Sequence, residues 1–364
     1  MASELKVGII GINTTGGWAS EAHVPAVKAI KGMTLAAVAT SRQETADEAA
    51  NAFGAEKAYA GGLALIADPD IDIVTVATRV PDHRELLLAS IAAGKHVYSE
   101  WPLGAGATEA REIAGAARSV GVKHAIGLQL RESPAVKKAR GILGSGALGR
   151  LLSVTAFSTT AGFGPDVPPQ FVYLEDPASF ANMITIQGAH TLDLLIALGG
   201  QLEFMNALVS RQFSNIQVGE PRQSRARVTF DHLLMHGRFG SGAPFGLEVA
   251  GGRTVDTPFH LEVTGEKGSL RLDGGAPRGV QSSRIGLSQD GERQSVDEGE
   301  FAGLSDGALN VAGVYEALGE DIRNGSSNVA DFHHAVRLTR LIEDVLETSE
   351  QGARVTGGHT WPDR

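Results

Sequence analysis

The sequence predicts an α/β chain of two domains: a doubly wound parallel sheet, then an α+β domain built on a large, mostly antiparallel sheet. Three observations point there. Short apolar runs alternate with helical stretches over the first third of the chain, a glycine-rich turn follows the first run, and beyond residue 200 the pattern becomes a series of closely spaced alternating strands. A boundary is expected near Leu128, dividing 1–127 from 128–364.

Taken in order, Lys6 to Gly11 is a strand ending in a turn, and the helix after it carries Ala26, Val27 and Ile30. Met33 to Thr40 is a second strand, before a helix from about Glu44 to Phe53. Ile71 to Ala77, a helix from about His83 to Ala93, and His96 to Ser99 continue the alternation, which implies right-handed crossovers and a sheet covered on both faces. Past the boundary, a helix opens at Pro134, a strand at Leu151, and a Gly/Pro-rich loop runs from Gly162 to Pro169. A helix spans about His190 to Leu198. Strands of one sheet are expected at Phe204 to Arg211, Arg225 to Phe230, Leu233 to Phe239, Gly246 to Ala250, Phe259 to Thr264 and Gly268 to Leu272. The last helix, Ala330 to Glu347, puts Val336, Leu338, Leu341, Ile342 and Val345 on one stripe.

Composition narrows the function classes. With 364 residues, 42% hydrophobic and 20% charged, the chain has the balance of a globular protein large enough for two cores. It contains no run of about 18 apolar residues to span a bilayer, and no leader-like stretch at Met1, so a cytoplasmic location is expected. The absence of cysteine excludes disulfides and thiolate chemistry. A net charge of -10 argues against direct contact with a nucleic-acid backbone.

The chemical signal begins at Gly11-Ile12-Asn13-Thr14-Thr15-Gly16-Gly17-Trp18, where the first and third glycines of a GxGxxG turn are present and Asn13 takes the second place. Such a turn cradles a pyrophosphate on loop amides at a helix start, and asparagine tolerates a left-handed backbone better than most residues. Gly11, Ile12, Asn13, Thr14, Gly16, Gly17 and Trp18 are therefore candidate cofactor contacts. At the end of the second strand, Ser41 and Arg42 replace the acidic residue that would bind a ribose 2'-hydroxyl, which favours NADP(H) over NAD(H). The alternative for Arg42 is a solvated helix-start residue that stacks on adenine or touches nothing.

Those residues, with Val80-Pro81-Asp82-His83, Gly94-Lys95-His96-Val97-Tyr98-Ser99-Glu100-Trp101-Pro102-Leu103 and Gly188-Ala189-His190-Thr191-Leu192-Asp193, resemble the Gfo/Idh/MocA oxidoreductase family over the whole chain. The likeness is to the branch of the galactose-pathway co-repressors and their bacterial oxidoreductase-like relatives. Its marks are Asn13 with Gly17-Trp18, and Glu-Trp-Pro where the family usually has Glu-Lys-Pro. The resemblance implies a Rossmann domain, a second domain that mediates oligomerisation, and a substrate cleft. It adds Thr78, His83, Glu100, Trp101 and Gln129 to the cofactor candidates. Trp101 stands at the family's lysine position, Ile186 at its aspartate, and His190 at its histidine.

His190 is accordingly the proton-exchanging candidate, and Asp193, three residues on, the candidate to orient its ring. His190 also fits a structural helix-start histidine. Trp101, Arg131, Phe163, Tyr173 and His190 are the substrate candidates: an indole wall, a guanidinium for amide or carboxylate recognition, and two rings on a loop able to stack on a sugar. Arg131 fits equally as a brace for the following helix. His23, His83 and the adjacent His333 and His334 lack metal-ligand spacing, so no metal is expected. Three functions fit: an NAD(P)-dependent oxidoreductase on a sugar- or polyol-like substrate, a non-catalytic NAD(P)-binding regulator, and a transient-redox lyase, hydrolase or epimerase. A homo-oligomer is expected.

Overall fold

The computed structural model describes residues 4–253, 255–351 and 355–356. Met1 to Ser3, part of the stretch read for a leader, lie outside them. The chain begins with β1 (Leu5–Ile10), a π-helical turn (Ala19–His23) running into α1 (Val24–Ala29), β2 (Met33–Thr40), α2 (Gln43–Phe53), β3 (Lys57–Ala60) and α3 (Gly62–Ile66). β4 (Ile73–Val76), α4 (Val80–Ala92), β5 (His96–Ser99), α5 (Ala107–Val120) and β6 (His124–Ile126) follow. The six strands are parallel, in the order β3-β2-β1-β4-β5-β6. That order reverses direction between β1 and β4, so loops leaving the two strands part and open a crevice at their carboxyl ends.

The second half contains α6 (Pro134–Gly144), β7 (Leu151–Thr160), β8 (Asp166–Val167), α7 (Ala189–Gly199), β9 (Leu202–Ser210), β10 (Asn215–Val218) and β11 (Gln223–Ala226). It continues with β12 (His232–Phe239), β13 (Pro244–Gly251), β14 (Phe259–Gly265), β15 (Gly268–Gly274), β16 (Gly286–Gln289) and β17 (Glu292–Arg293). Then come α8 (Asp306–Asn324), α9 (Phe332–Gln351) and β18 (Val355–Thr356). The large sheet runs β17-β16-β15-β14-β7-β13-β12-β9-β18, antiparallel except where β7 and β13 pair. Its alternation is clean: in β12, Leu233, Met235 and Phe239 are buried while Leu234, His236 and Arg238 face outward. α7 lies on the buried face against β7 and β14.

The compact units are 4–129 with 298–336, and 130–297 with the remainder of the described chain. Residues 298–336 thus pack with 4–129 rather than with the segment that precedes them. Val311, Val314, Tyr315 and Leu318 of α8 join the core made by Val7, Ile9, Val27 and Val38. Burying α8's apolar face requires a partner, and β1, β2 and α1 supply it. The expected strand Arg225 to Phe230 is also corrected. Only Gln223–Ala226 is a strand, paired with β10 in a small separate sheet of β11, β10 and β8. From Arg227 onward the backbone serves a buried ion network instead, and Val228 is 51% exposed. Among the described residues no helix is long and apolar enough to cross a membrane.

Candidate functional site

In the first unit, the loop after β1 is built from left-handed glycines. Gly11 has φ 95°, and a Cβ there would lie 2.6 Å from the Ala77 carbonyl at the end of β4, so only glycine fits. Gly16 and Gly17 also have positive φ, and a Cβ on Gly17 would meet nothing within 4 Å. Asn13 is not left-handed, contrary to expectation. Its side-chain oxygen instead accepts the Thr15 amide and hydroxyl, each at 2.9 Å, turning the loop as an Asx-turn does. The Gly17 amide donates to the Glu21 carboxylate at 3.0 Å. Thus an anion already rests on one loop amide, which fits a phosphate-binding turn. Trp18 packs over Gly307 of α8, with its indole nitrogen buried and unpaired among the described residues. Ile12 is buried and Thr14 exposed.

Ser41 and Arg42 lead into α2 at the carboxyl end of β2, both exposed. Thr40 Oγ1 bonds the Arg42 carbonyl at 2.8 Å and so fixes this corner, while the guanidinium has no partner among the described residues.

Beyond β4 and β5 the groups are buried. His83 is 1% exposed, with Nδ1 at 2.9 Å from the Pro102 carbonyl and Nε2 at 3.1 Å from that of Thr78. Burial chiefly pushes its imidazole below the usual histidine range. The ring therefore lies between the Trp101-Pro102 segment and the Thr78 turn. Trp101 is 6% exposed, and Gln129 is buried with its side-chain oxygen unpaired among the described residues. Glu100 Oε1 lies 2.9 Å from Nε2 of the fully buried His23.

In the second unit, His190 is 4% exposed in the first turn of α7. Both carboxylate oxygens of Asp193 accept Arg131 Nε–H, at 3.0 and 2.9 Å. This ion pair ties α7 to the segment before α6, a different helix from the following one that Arg131 was expected to brace. Ile186, reached by counting back four from His190, lies inside a π-helical turn (Ile184–Gly188), where Gly188 N–H bonds the Met183 carbonyl at 2.9 Å. The extra residue in that turn displaces Ile186 from the face that α-helical counting assigns. Phe163 is left-handed, φ 59°, and half-buried like Tyr173. The loop carrying both is pinned from below by Arg227, whose Nη1 bonds the Phe163 carbonyl at 2.8 Å and whose Nη2 bonds Gly164 at 2.7 Å and Glu175 at 2.9 Å.

Residues 5–128 match the model of an oxidoreductase family with an NAD-binding Rossmann fold, and residues 134–274 match that of the Gal80p C-terminal domain. Dehydrogenase aclE of Aspergillus oryzae is 32% identical over 97% of this chain and 98% of its own length. The chain belongs to the Gfo/Idh/MocA oxidoreductase family. Among solved structures, a super-repressor mutant of Gal80p from Saccharomyces cerevisiae superposes with TM-score 0.86 at 22% identity, covering 98% of each chain. Levoglucosan dehydrogenase in complex with NADH and L-sorbose gives 0.83 at 21%, covering 97% of this chain and 98% of that one. Both likenesses show the fold.

Sequence reasoning missed His23 as a partner of Glu100, Glu21 on the Gly17 amide, Tyr315 behind His23, and Arg227 beneath the aromatic loop. A histidine at a helix start was visible, but its partners are 77 and 292 residues away, and no local pattern joins them.

Proposed function

We propose that this protein is an NAD(P)-dependent oxidoreductase acting on a hydroxyl or carbonyl of a small, sugar- or polyol-like molecule. The observation that carries the reading is its end-to-end similarity to a dehydrogenase, spanning both units. The glycine loop after β1 is the proposed seat of the pyrophosphate, with its amides and the following helix start as donors. Ser41 and Arg42 are proposed to favour a 2'-phosphate, hence NADP(H). A nicotinamide, when bound, accepts or donates the hydride. His190 takes the proton from the substrate hydroxyl in one direction and returns it in the other. Trp101, lacking an ammonium, supplies an apolar wall.

Loss of the family lysine does not abolish such chemistry on energetic grounds. A positioned acid or base contributes roughly 10²–10⁴ in rate, whereas holding the reactants together lowers the barrier by about 7–11 kcal/mol. With NADPH and a panel of sugars and polyols, wild-type turnover should fall roughly 10²–10⁴-fold in His190→Ala while cofactor affinity stays the same. Turnover undiminished by the change would remove His190 from the chemistry.

A second reading, a nucleotide-binding regulator without catalysis, is favoured by the match of residues 134–274 to the Gal80p C-terminal domain and by Trp101 at the lysine position. Tight cofactor binding without turnover on any substrate would select it. We further propose a homo-oligomer through the outward face of the large sheet, where Leu234 stands opposite Leu208, 39% and 55% exposed. A monomer by light scattering at micromolar concentration would reject this.

A further inference from the structure

We propose that His23 is the positioning residue for Glu100, and that the buried line from His23 through Tyr315 to Thr75 holds this carboxylate as an acceptor for a hydrogen-bond donor of the bound dinucleotide. The proposal rests on the reading of the first unit as the dinucleotide site. Glu100 follows β5 directly, and its amide bonds the Val76 carbonyl at the end of β4. It therefore stands at the carboxyl edge of the parallel sheet, the edge from which the glycine loop also leaves β1. Its side chain is 15% exposed. Oε1 is taken by His23, while Oε2 has no partner among the described residues. A dinucleotide offers a carboxylate three kinds of donor, its ribose hydroxyls, its carboxamide N–H and its adenine amino group.

The line behind Glu100 has a direction. A carboxylate only accepts, so His23 Nε2 must carry the hydrogen it shares with Oε1. With the ring hydrogen placed there, Nδ1 is the acceptor and takes the Tyr315 hydroxyl at 2.8 Å. Tyr315 in turn accepts from Thr75 Oγ1 at 2.7 Å. His23, Tyr315 and Thr75 are all fully buried, and burial pushes the Tyr315 phenol well above its usual range, which keeps the hydroxyl that Nδ1 needs. Edge-on packing fixes the imidazole plane: the Tyr98 ring lies 4.9 Å and the Tyr315 ring 5.6 Å from it. Gly127 closes the other side, since a Cβ there would come within 2.7 Å of Glu100 Oε1. The carboxylate thus has one oxygen fixed from beneath and one left for a ligand.

The experiment is a double-mutant cycle on the full chain, with NADH and NADPH affinities by calorimetry and the cofactor-free melting midpoint by scanning calorimetry. His23→Leu keeps bulk but removes the donor, and should weaken binding roughly ten- to hundredfold, as loss of a hydrogen bond to a charged group does. Glu100→Ala should weaken it comparably. The double variant should bind no worse than Glu100→Ala, because His23 would then have nothing to hold. His23→Gln, whose amide still donates, should recover most of the affinity, and Tyr315→Phe should fall between. Those last two variants decide the matter if His23→Leu does not fold. Losses that add in the double variant, affinity in His23→Gln no better than in Glu100→Ala, or a lower melting midpoint with unchanged affinity in Tyr315→Phe, would overturn the assignment of His23. A wild-type chain that binds neither NADH nor NADPH would overturn the dinucleotide reading as well.

Discussion

At the carboxyl ends of the parallel strands of the first unit, Glu100 is held by the His23 ring and His83 lies between two backbone carbonyls, while the ion pair of Lys57 with Asp68 stands at the opposite end of β3. In the second unit the corresponding work falls to buried ion pairs: Arg131 with Asp193, and Arg227 with Glu175 and Asp231. The difference follows from the backbone each unit offers. A parallel sheet aligns its strand ends and lets short turns present their own carbonyls and amides. The second unit must hold a long connection through Phe163 and Tyr173 whose regular structure is a two-residue strand and short 3-10 turns, and a guanidinium can satisfy several carbonyls and carboxylates at once. Hydrogen-bonded lines should therefore tolerate conservative replacement, and ion pairs should not.

The largest effect expected from this contrast is at Arg227. Its side chain is fully buried, and Arg227→Met would strand the Glu175 and Asp231 carboxylates, whose side chains are 8% and 1% exposed. The cost should be about 3–5 kcal/mol in urea unfolding. Adding Glu175→Gln and Asp231→Asn should restore part of it. A loss below about 1 kcal/mol would mean that water or a rearranged loop compensates.

A pH experiment sharpens the other side of the comparison. His124 stacks on Phe332 with ring centroids 4.4 Å apart and accepts the Phe332 amide at Nδ1. Burial, the largest cause, pushes it down to about 4, with Asp331 opposing and His333 assisting. The folded state thus disfavours the proton relative to the unfolded chain at 6.5. This contribution to stability is full above pH 6.5 and is lost as pH falls towards 4, up to about 3 kcal/mol. His124→Asn should flatten the slope of unfolding free energy in that window. An unchanged slope would assign it to other groups.

The smallest effect concerns the exposed corner at the end of β2. Arg42→Ala should narrow a preference for NADP(H) over NAD(H) by about tenfold or more, the value of a charge-assisted bond to phosphate. Equal affinities for both dinucleotides in the wild type would leave NAD(H) as the cofactor.

The first unit was legible because its signals are local. The apolar runs and the glycine turn each depend on neighbours within a few residues, and β1, β2, β4 and β5 fall where the runs do, whereas the short, half-exposed β3 was not read. Legibility ended where the pattern had two causes. Arg225 to Phe230 alternates like a strand, yet from Arg227 the alternation serves buried charge. Asn13 was expected to replace glycine by adopting its conformation, and instead uses its side chain to make the turn.

The sequence by itself determined much of the alternation of strands and helices in the first unit, though not β3, α3 or α5, the glycine loop after β1, six of the nine strands of the large sheet, with β16, β17 and β18 unread, and family membership through motifs spaced along the whole length. Only the tertiary structure decided that α8 returns to the first unit, that His23, Glu100, Tyr315 and Thr75 form one line, and that Asp193 is bonded to Arg131. Periodicity and turn chemistry act over one or two turns of chain and are written in adjacent residues. A buried polar contact is chosen by which distant segments cover one another, and its partners, here 77 and 292 residues from His23, satisfy each other only once the core has closed.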